Sequence, residues 1–289
     1  MRHGHKSAAR WTIRDVLQWT TDYFSKKGVQ TARLDAEVLL AHSLGVDRLH
    51  LYLNLDRPLL AEERSIYRNL VARRASREPV ALITGKKEFW SIPLRVVAGV
   101  LIPRPETEIL VEVVLAEIKN KESPTVLDIG TGSGAIAVAI LKERPDVWLA
   151  ATDVNLLALE TASLNARSAQ VSAKFIASEL FAAFRKEPFF DVVCSNPPYI
   201  PRDTIPHLAP EISKYEPISA LDGGPDGLDV VRQIAGQARG LLKKDGALIM
   251  EIGDGQEREV RELLARADFL DIKFFPDLAG TIRVVRAKK

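Results

Sequence analysis

The sequence has 289 residues, of which 46% are hydrophobic and 27% are charged, a composition typical of a folded protein and unlike that of a disordered chain. Forty Lys and Arg residues against 38 Asp and Glu residues give a net charge of +2, so the chain lacks the basic excess expected of a protein that binds nucleic acid along its phosphates. This length favours two domains over one, because single hydrophobic cores rarely grow this large.

The cysteine content and the lack of long apolar runs indicate a cytoplasmic protein. Cys194 is the only cysteine, so it can form neither an intrachain disulfide nor a cysteine metal cluster, and no metal site is predicted. No apolar run approaches the roughly 20 residues of a membrane-spanning helix, and residues 1–11 lack the hydrophobic stretch of a signal peptide. We expect residues 1–11, with His3 and His5, to form a flexible tail without a metal site.

Residues 12–84 are predicted to form a small helical domain. Apolar side chains recur at helical spacing from Thr12, and Thr12 with Asp15 matches a capping box. A second helix is expected to end near Gly45, and a third to span residues 61–77. The third helix is rich in arginine, and these side chains are expected in solvent because helical spacing distributes them around the axis. They are Arg64, Arg68, Arg73, Arg74 and Arg77.

A change in residue composition marks the boundary between the two predicted domains. Residues 85–104 contain β-branched and aromatic side chains with a glycine near the end, which predicts a β-hairpin linker. Pro105 suits the first turn of a helix, with Glu106 and Glu108 near its positive end. This helix is expected to open a second domain over residues 105–289.

The second domain is predicted to have an α/β fold. Short apolar strands alternate with helical segments, which favours a parallel sheet covered by helices. The five strands are predicted at residues 126–129, 148–152, 174–177, 192–195 and 247–251. Two more, at residues 269–275 and 281–286, are separated by a short link and are expected to be antiparallel neighbours.

A glycine-rich segment between the first of these strands and the next helix is the first candidate binding site. It consists of Asp128, Ile129, Gly130, Thr131, Gly132, Ser133 and Gly134. Its glycines allow the backbone to turn sharply and to approach a ligand closely. Asp153 ends the next strand about 20 residues on, where a carboxylate can accept both hydroxyls of a ribose. Dinucleotide sites, phosphate sites, a tight structural turn and a helix-capping aspartate remain alternatives at this point.

A second candidate site follows the fourth strand, at the sheet edge where ligands of open α/β folds bind. It consists of Cys194, Ser195, Asn196, Pro197, Pro198 and Tyr199. The prolines fix φ and leave the preceding carbonyls as rigid acceptors. If Asn196 Oδ1 and the Pro197 carbonyl accept both hydrogens of a planar NH2 group, its lone pair becomes available for methylation, with Tyr199 packed against the planar group. A strand-ending loop without chemistry is the alternative.

The glycine-rich segment followed by Asp153 resembles the Rossmann-like class I S-adenosylmethionine (SAM) methyltransferases, which have a seven-stranded sheet. The resemblance implies SAM as the methyl donor, with the loop around its methionine part and Asp153 on its ribose. It also implies that Glu179, Leu180 and Phe181 border the adenine, although aspartate is more common than glutamate at the first position. The implied cofactor residues are Asp128, Gly130, Thr131, Gly132, Ser133, Gly134, Asp153, Glu179, Leu180, Phe181 and Asn196.

The Asn-Pro-Pro-Tyr turn is similar to those of methyltransferases that act on adenine N6, guanine N2 or glutamine N5. Further segments resemble the HemK/PrmC family of release factor glutamine methyltransferases over nearly the whole chain. They lie at residues 77–79, 85–89, 101–108, 216–217, 220–221 and 223–228. The resemblance implies methylation of the glutamine in the GGQ motif of peptide chain release factors, docking of the factor by residues 12–84, and contact of the glutamine with Asn196, Pro197, Pro198, Tyr199 and Arg104.

Three other functions fit parts of this sequence less well. Ribosomal-protein glutamine N5-methyltransferases share the catalytic turn, but their proline-arginine motif continues differently from residues 105–108 here. A nucleic-acid adenine N6-methyltransferase would need a target-recognition domain or a basic face, and neither is evident, so no direct nucleic-acid or membrane partner is expected. A noncatalytic binding module would be expected to lose Asn196 or the glycine loop.

Overall fold

The computed structural model describes residues 11–289. Of the tail predicted over residues 1–11, all but the last residue lies outside the described part, as do His3 and His5. The chain divides into two compact units, the first ending at Gly85 and the second running from Lys86 to Lys289. Among the helices of residues 11–289, none is both long enough and apolar enough to cross a membrane.

Residues 11–85 of the first unit contain five helices: α1 (Ile13–Lys26), α2 (Ala32–Leu44), α3 (Arg48–Leu53), α4 (Ala61–Ala75) and α5 (Val80–Thr84). The capping box predicted at the start of α1 is confirmed, with Thr12 and Asp15 bonded to each other's backbone. The predicted stop of α2 is confirmed as well, since Gly45 caps it in the left-handed conformation. Helices α3 and α5 were not predicted, because elements of five or six residues are too short to show a helical period.

The core of the first unit contains a buried ion pair that the sequence did not predict. The guanidinium of Arg74, on α4, donates a hydrogen bond of 2.7 Å to Asp35 on α2. Both side chains are buried, with 6% and 9% of their surface exposed. The expectation that all five arginines of this helix lie in solvent is therefore wrong for Arg74. Helical spacing turned it inward, and Asp35 compensates its charge.

The second unit begins with a short β-hairpin of β1 (Lys86–Phe89) and β2 (Ile92–Arg95). The turn places Trp90 and Ser91 at positive φ, as the type I′ turn of a two-residue hairpin requires. Phe89 and Leu94 are buried in the hydrophobic core of the second unit. The paired strands end at Arg95, earlier than the predicted boundary at residue 104, because the later apolar residues pack without strand pairing.

A seven-stranded sheet forms the centre of the second unit, which confirms the predicted fold class. Its strands are β3 (Thr125–Ile129), β4 (Trp148–Asp153), β5 (Lys174–Ala177), β6 (Phe190–Ser195), β7 (Leu242–Glu251), β8 (Leu270–Pro276) and β9 (Ile282–Lys288). They lie in the order β5-β4-β3-β6-β7-β9-β8. The first five in that order are parallel, and β9 pairs antiparallel with both of its neighbours, as expected for the last two strands.

Helices cover both faces of the sheet because side chains alternate along each buried strand. The remaining helices are α6 (Glu108–Ile118), α7 (Ala135–Glu143), α8 (Leu156–Ser168), α9 (Pro210–Ser213), α10 (Asp229–Ala238) and α11 (Glu257–Arg266). Val126 and Val192 point into the core with α6 and α7, whereas the next residues on each strand pack with α10 and α11. The parallel order brings the carboxyl ends of β3 to β6 to one edge, where both candidate sites lie.

Candidate active site

The glycine-rich loop after β3 is built so that its backbone can approach a ligand. Gly130, Gly132 and Gly134 have φ values of 70°, 55° and 80°, a region that favours glycine. The Thr131 amide donates a 2.8 Å hydrogen bond to the Thr152 carbonyl, which ties the loop to β4. Gly134 also admits α8, because a Cβ there would lie 2.8 Å from the Cβ of Ala162.

Asp153 lies at the end of β4 beside this loop. One of its carboxylate oxygens accepts from the Gly132 amide at 2.8 Å, and the other accepts from the Asn155 amide at 2.9 Å. Each carboxylate oxygen has capacity for a second donor, so the group can still accept ligand hydroxyls. Asn155 caps α8 by accepting from the Leu157 amide, and its own side chain donates to the Gly99 carbonyl.

Asp128 lies beneath the loop and has no exposed surface. Its carboxylate accepts a 2.6 Å hydrogen bond from the Thr131 hydroxyl, which fixes the loop from inside. Burial raises the pKa of Asp128 from 3.8 to about 7. The neighbouring Cys194 thiol is also fully buried, and burial raises its pKa well above the ordinary value.

The catalytic turn predicted after β6 faces the same region. The Asn196 side-chain Nδ2 donates a 3.2 Å hydrogen bond to the hydroxyl of Thr107, a buried residue just before α6. This contact uses the amide nitrogen and leaves Asn196 Oδ1 as an available acceptor. The Ser195 hydroxyl donates to the Ile129 carbonyl at 2.8 Å, so the catalytic turn and the glycine loop are held together at their bases.

Tyr199, the last residue of the turn, is held from behind. Its hydroxyl donates a 3.1 Å hydrogen bond to Glu251 at the end of β7. Burial raises the pKa of Tyr199 above its ordinary value, with the Glu251 charge adding to the effect. Burial also raises the pKa of Glu251, while the hydroxyls of Thr107 and Tyr199 favour its charged form.

The two sites meet in one cavity of about 280 Å³. Eleven predicted site residues lie in its wall: Gly130, Thr131, Gly132, Ser133, Asp153, Glu179, Leu180, Asn196, Pro197, Pro198 and Arg104. Residues from four strand ends therefore form a single concave surface, the arrangement in which ligands of open α/β sheets bind.

Four predicted site residues lie outside the cavity wall, each for a visible reason. Asp128 supports the loop from beneath, and Gly134 faces α8. Phe181 is buried in the core with α10 and α11, whereas its neighbour Leu180 reaches the cavity. Tyr199 points to Glu251 and lines a different surface depression.

The chain matches two protein-family models, the PrmC N-terminal domain over residues 15–85 and the methyltransferase small domain over residues 105–211. A release factor glutamine methyltransferase of Rhodopirellula baltica is 41% identical over 288 residues, covering 96% of this chain and 97% of the relative. One from Geobacter sulfurreducens is 43% identical, covering 95% and 96%. The chain belongs to the release factor glutamine methyltransferase family. One from Burkholderia pseudomallei is 45% identical, covering 86% and 90%.

Solved structures of other proteins share the fold of this family member. The Thermus thermophilus 16S rRNA N2 G1207 methyltransferase, in complex with AdoMet and guanosine, aligns with a TM-score of 0.52 at 17% identity. The alignment covers 71% of this chain and 49% of that one. The human Mettl16 catalytic domain aligns with a TM-score of 0.54 at 16% identity, covering 76% and 80%. At these identities the likeness concerns the fold alone.

The cavity of this release factor glutamine methyltransferase family member fits SAM, the methyl donor. The positive-φ glycines open the backbone to the ligand, and Asp153 has acceptor capacity for ribose hydroxyls. Leu180 offers an apolar surface for a base, and Glu179 lies beside it in the wall. Within residues 11–289, no group of three or more His, Cys, Asp or Glu side chains is arranged to hold a metal ion.

The structure also shows site residues that the sequence reasoning missed. Thr107 lies in the cavity wall and holds Asn196, and in the sequence it belongs to the family-like segment at residues 101–108. Glu216, buried outside the wall, forms an ion pair with Arg104. The signal for Glu216 was its place beside Pro217 in another family-like segment, but a carboxylate 112 residues away from its partner gives no local pattern.

Proposed function

We propose that the protein transfers a methyl group from SAM to the side-chain N5 of the glutamine in the GGQ motif of peptide chain release factors. The observation that carries this proposal is the common cavity of the Asn196–Pro197 turn and the glycine-rich loop, in a chain of the release factor glutamine methyltransferase family. The substrate amide would lie against the turn, and the methyl donor against the loop.

The cofactor end of the cavity would be formed by the loop from Gly130 to Ser133 and by Asp153. The carboxylate of Asp153 would accept the ribose hydroxyls while it keeps its bonds to the Gly132 and Asn155 amides. When bound, SAM supplies an electrophilic methyl group. Asp128 acts beneath the loop, where its bond from Thr131 maintains the backbone that meets the ligand.

The substrate end would activate the amide by accepting its hydrogens. An amide nitrogen is a poor nucleophile because its lone pair is delocalised into the carbonyl. Asn196 Oδ1 and the Pro197 carbonyl would accept the two N–H groups and direct the lone pair toward the methyl donor. The Thr107 hydroxyl keeps Asn196 in the required orientation by accepting a hydrogen bond from its Nδ2 group. Positioning of this kind supplies much of the barrier reduction, and the nitrogen loses its proton after it has become cationic.

Tyr199 and Pro198 complete the turn in different ways. Pro198 lies in the cavity wall and would contact the glutamine side chain. Tyr199 would hold the turn from outside the wall through its bond to Glu251, in place of the direct packing expected from the sequence. Arg104 lies in the wall and would close the substrate end.

We further propose that the helical unit recognises the release factor away from its glutamine. Helices α1 and α4 frame a groove of about 380 Å³ that exposes Trp11, Trp19 and Tyr23. Trp19 is 51% exposed and stacks on Tyr23 with ring centroids 5.1 Å apart. Arg64 and Arg68 also line this groove, which suits a protein segment with apolar and acidic side chains. Release factors act in translation, so the enzyme would work in the cytoplasm.

The test of the proposed function is methylation of purified release factors by the full chain with SAM, followed by mass-spectrometric mapping of the modified residue. We expect one methyl group on the glutamine of the GGQ motif. Matched controls are a factor with that glutamine replaced by alanine, a ribosomal protein and a DNA duplex. Methylation of either of the last two, with none on the release factors, would overturn the proposal.

A further inference from the structure

An ion pair joins two segments of the cavity wall that lie far apart in the sequence. The Arg104 guanidinium donates to the carboxylate of Glu216. The Arg104 side chain is 33% exposed and lines the cavity, whereas the Glu216 side chain is 1% exposed. Directly after Glu216, Pro217 and Ser219 line the cavity as well. The pair therefore sets both the shape and the charge of this part of the wall.

Arg104 is the only cationic side chain among the residues that line the cavity, all of which belong to the described part of the chain. The other charged side chains in the wall are Asp153 and Glu179. Asp153 is bonded to the glycine loop, at the cofactor end. Within residues 11–289, Arg104 forms an ion pair with one residue, Glu216.

An uncompensated guanidinium at this position would change which side chains the cavity prefers. Guanidinium binds carboxylates through strong, often bidentate, hydrogen bonds. It would also repel the positive sulfonium of SAM, because charges in a partly buried site are only weakly screened. Glutamine and glutamate have nearly the same shape, so shape alone discriminates poorly between them. The charge of the wall is then the main source of discrimination.

We propose that Glu216 is a specificity-determining residue, which neutralises Arg104 so that the cavity selects a neutral side-chain amide over a carboxylate and tolerates the cationic methyl donor. The inference rests on the proposed function for the identity of the amide as glutamine. Glu216 acts through Arg104, so it is a positioning residue and has no contact with the reacting atoms. The neutral pair leaves Arg104 able to donate to a carbonyl oxygen without attracting a negative charge.

The first test compares binding of two release factors to the full-length enzyme in the presence of S-adenosylhomocysteine, which prevents turnover. One factor carries its natural glutamine, and the other carries glutamate at that position. The ratio of their Kd values cancels all contacts away from the glutamine. In Glu216→Gln we expect binding of the glutamate factor to strengthen about tenfold relative to binding of the glutamine factor, as for one charge contact in a partly buried site. The double variant Arg104→Met/Glu216→Gln is expected to return the ratio toward the wild-type value.

Asp191→Asn is the matched control, because Asp191 is a buried carboxylate at the start of β6 that pairs with Lys121 and Lys243 and does not line the cavity. We expect its Kd ratio to stay at the wild-type value. If the role of Glu216 were purely structural, Glu216→Gln would weaken the binding of both factors equally and leave the ratio of their Kd values unchanged. That result would overturn the proposal.

A second readout needs no release factor and separates this inference from the proposed function. SAM carries the sulfonium charge and S-adenosylhomocysteine does not, so their Kd ratio reports the charge of the cavity. Glu216→Gln should weaken SAM relative to S-adenosylhomocysteine several-fold, and the double variant should restore the ratio. If this ratio shifts while wild-type enzyme neither binds nor methylates a release factor, the proposed substrate is wrong and the neutralising role of Glu216 stands.

Arg104→Met keeps the inference testable if Glu216→Gln does not fold. The Arg104→Met substitution removes the only cationic side chain among the described residues that line the cavity, so a substrate carboxylate gains no attraction there. We expect Arg104→Met to prefer the glutamine factor at least as strongly as wild type does. A shift of this variant toward the glutamate factor would contradict the proposal.

Discussion

Asn196 is placed so that its function can be tested by two substitutions, one that removes the acceptor oxygen and one that retains it. Its Nδ2 group is held by Thr107, which leaves Oδ1 for the substrate amide. Asn196→Ala should lower the rate of methyl transfer by about a hundredfold, or about 3 kcal/mol, as when one preorganised polar contact is lost. Asn196→Asp retains an acceptor oxygen and should keep more activity than Ala.

The measurement is single-turnover methylation of a release factor at saturating SAM. The SAM affinity of both variants should stay close to that of wild type, since the loop and Asp153 are unchanged. A wild-type rate for Asn196→Ala would show that the turn is only a scaffold.

Asp153 should contribute to SAM affinity through its free acceptor capacity. Asp153→Ala removes the acceptor for the ribose and the two backbone bonds that order the loop. We expect at least a tenfold rise in the Kd of SAM by calorimetry, in the range of two charge-assisted hydrogen bonds. Glu160→Ala, an exposed acidic residue on the neighbouring helix α8, is the matched control and should bind SAM normally. Unchanged affinity in Asp153→Ala would refute the ribose assignment.

Asp128 should make the stability of the protein depend on pH. Its pKa is raised to about 7 in the folded state, from 3.8. The folded protein therefore binds the proton more tightly, so this contribution to stability is fully present below the unfolded pKa and is lost as pH rises through about 7. Asp128→Asn should flatten the fall in Tm between about pH 4 and 7, measured by calorimetry in matched buffers. An Asn variant with the wild-type slope would exclude Asp128 as its source.

The sequence identified those site residues that belong to short, contiguous sequence patterns. The glycines before α7, Asp153 at a strand end and the Asn-Pro-Pro-Tyr turn are short patterns, and the parallel sheet then brings them together. Glu216, Glu251 and Asp35 could not be found in this way. Each acquires its function from a partner distant in the chain, and hydrophobic periodicity carries no information about such pairs.

At the scale of elements, the packing of α8 against the start of α7 depends on a single glycine. A Cβ at Gly134 would lie 2.8 Å from the Ala162 Cβ, and its φ of 80° disfavours any L side chain. Gly134→Ala should lower the free energy of unfolding by about 1–3 kcal/mol and weaken SAM binding, because the loop must shift.

Gly236, an exposed glycine within α10, is the comparison for Gly134 because a side chain there is expected to raise the free energy of unfolding instead of lowering it. An added Cβ there meets no atom within 4 Å. Gly236→Ala should raise the free energy of unfolding by about 0.5–1 kcal/mol, because alanine favours the helix. Urea unfolding of both variants gives the comparison, and equal effects of the two substitutions would contradict the packing argument.

Most strand bounds of the sheet were predicted to within two residues, and β7 is the exception. Strand β5 was predicted with its observed bounds, and β3 and β4 within one residue. Strand β7 was predicted from residue 247 but begins at Leu242, because polar residues at 243–245 interrupt its apolar pattern near the sheet edge. Asp245 even adopts a positive φ there. Strand ends in solvent need no apolar side chains, so periodicity does not mark them.

At the scale of the whole molecule, the two units divide the proposed tasks. Trp19→Ser removes the most exposed ring of the groove in the helical unit and should raise the KM for an intact release factor about tenfold or more, as for an aromatic contact at the centre of an interface. The kcat and the SAM affinity should change little, because the catalytic cavity lies wholly within the second unit. Steady-state methylation with varied release factor provides the measurement.

Ile66→Ser is the matched control for the groove, since Ile66 is an exposed apolar residue of α4 that does not line it. Its KM should stay at the wild-type value. Equal changes in both variants would mean that the groove is not the contact surface.

The buried position of Cys194 makes this enzyme suitable for site-specific labelling without prior removal of a native cysteine. The thiolate is the form that reacts with maleimides, and the raised pKa of this enclosed thiol keeps it protonated in the folded state. Cysteines introduced at Ile66 in the helical unit and at Leu278 in an exposed turn of the second unit would then be the reactive sites. Dyes or spin labels at these two positions would report whether release factor binding alters the distance between the units.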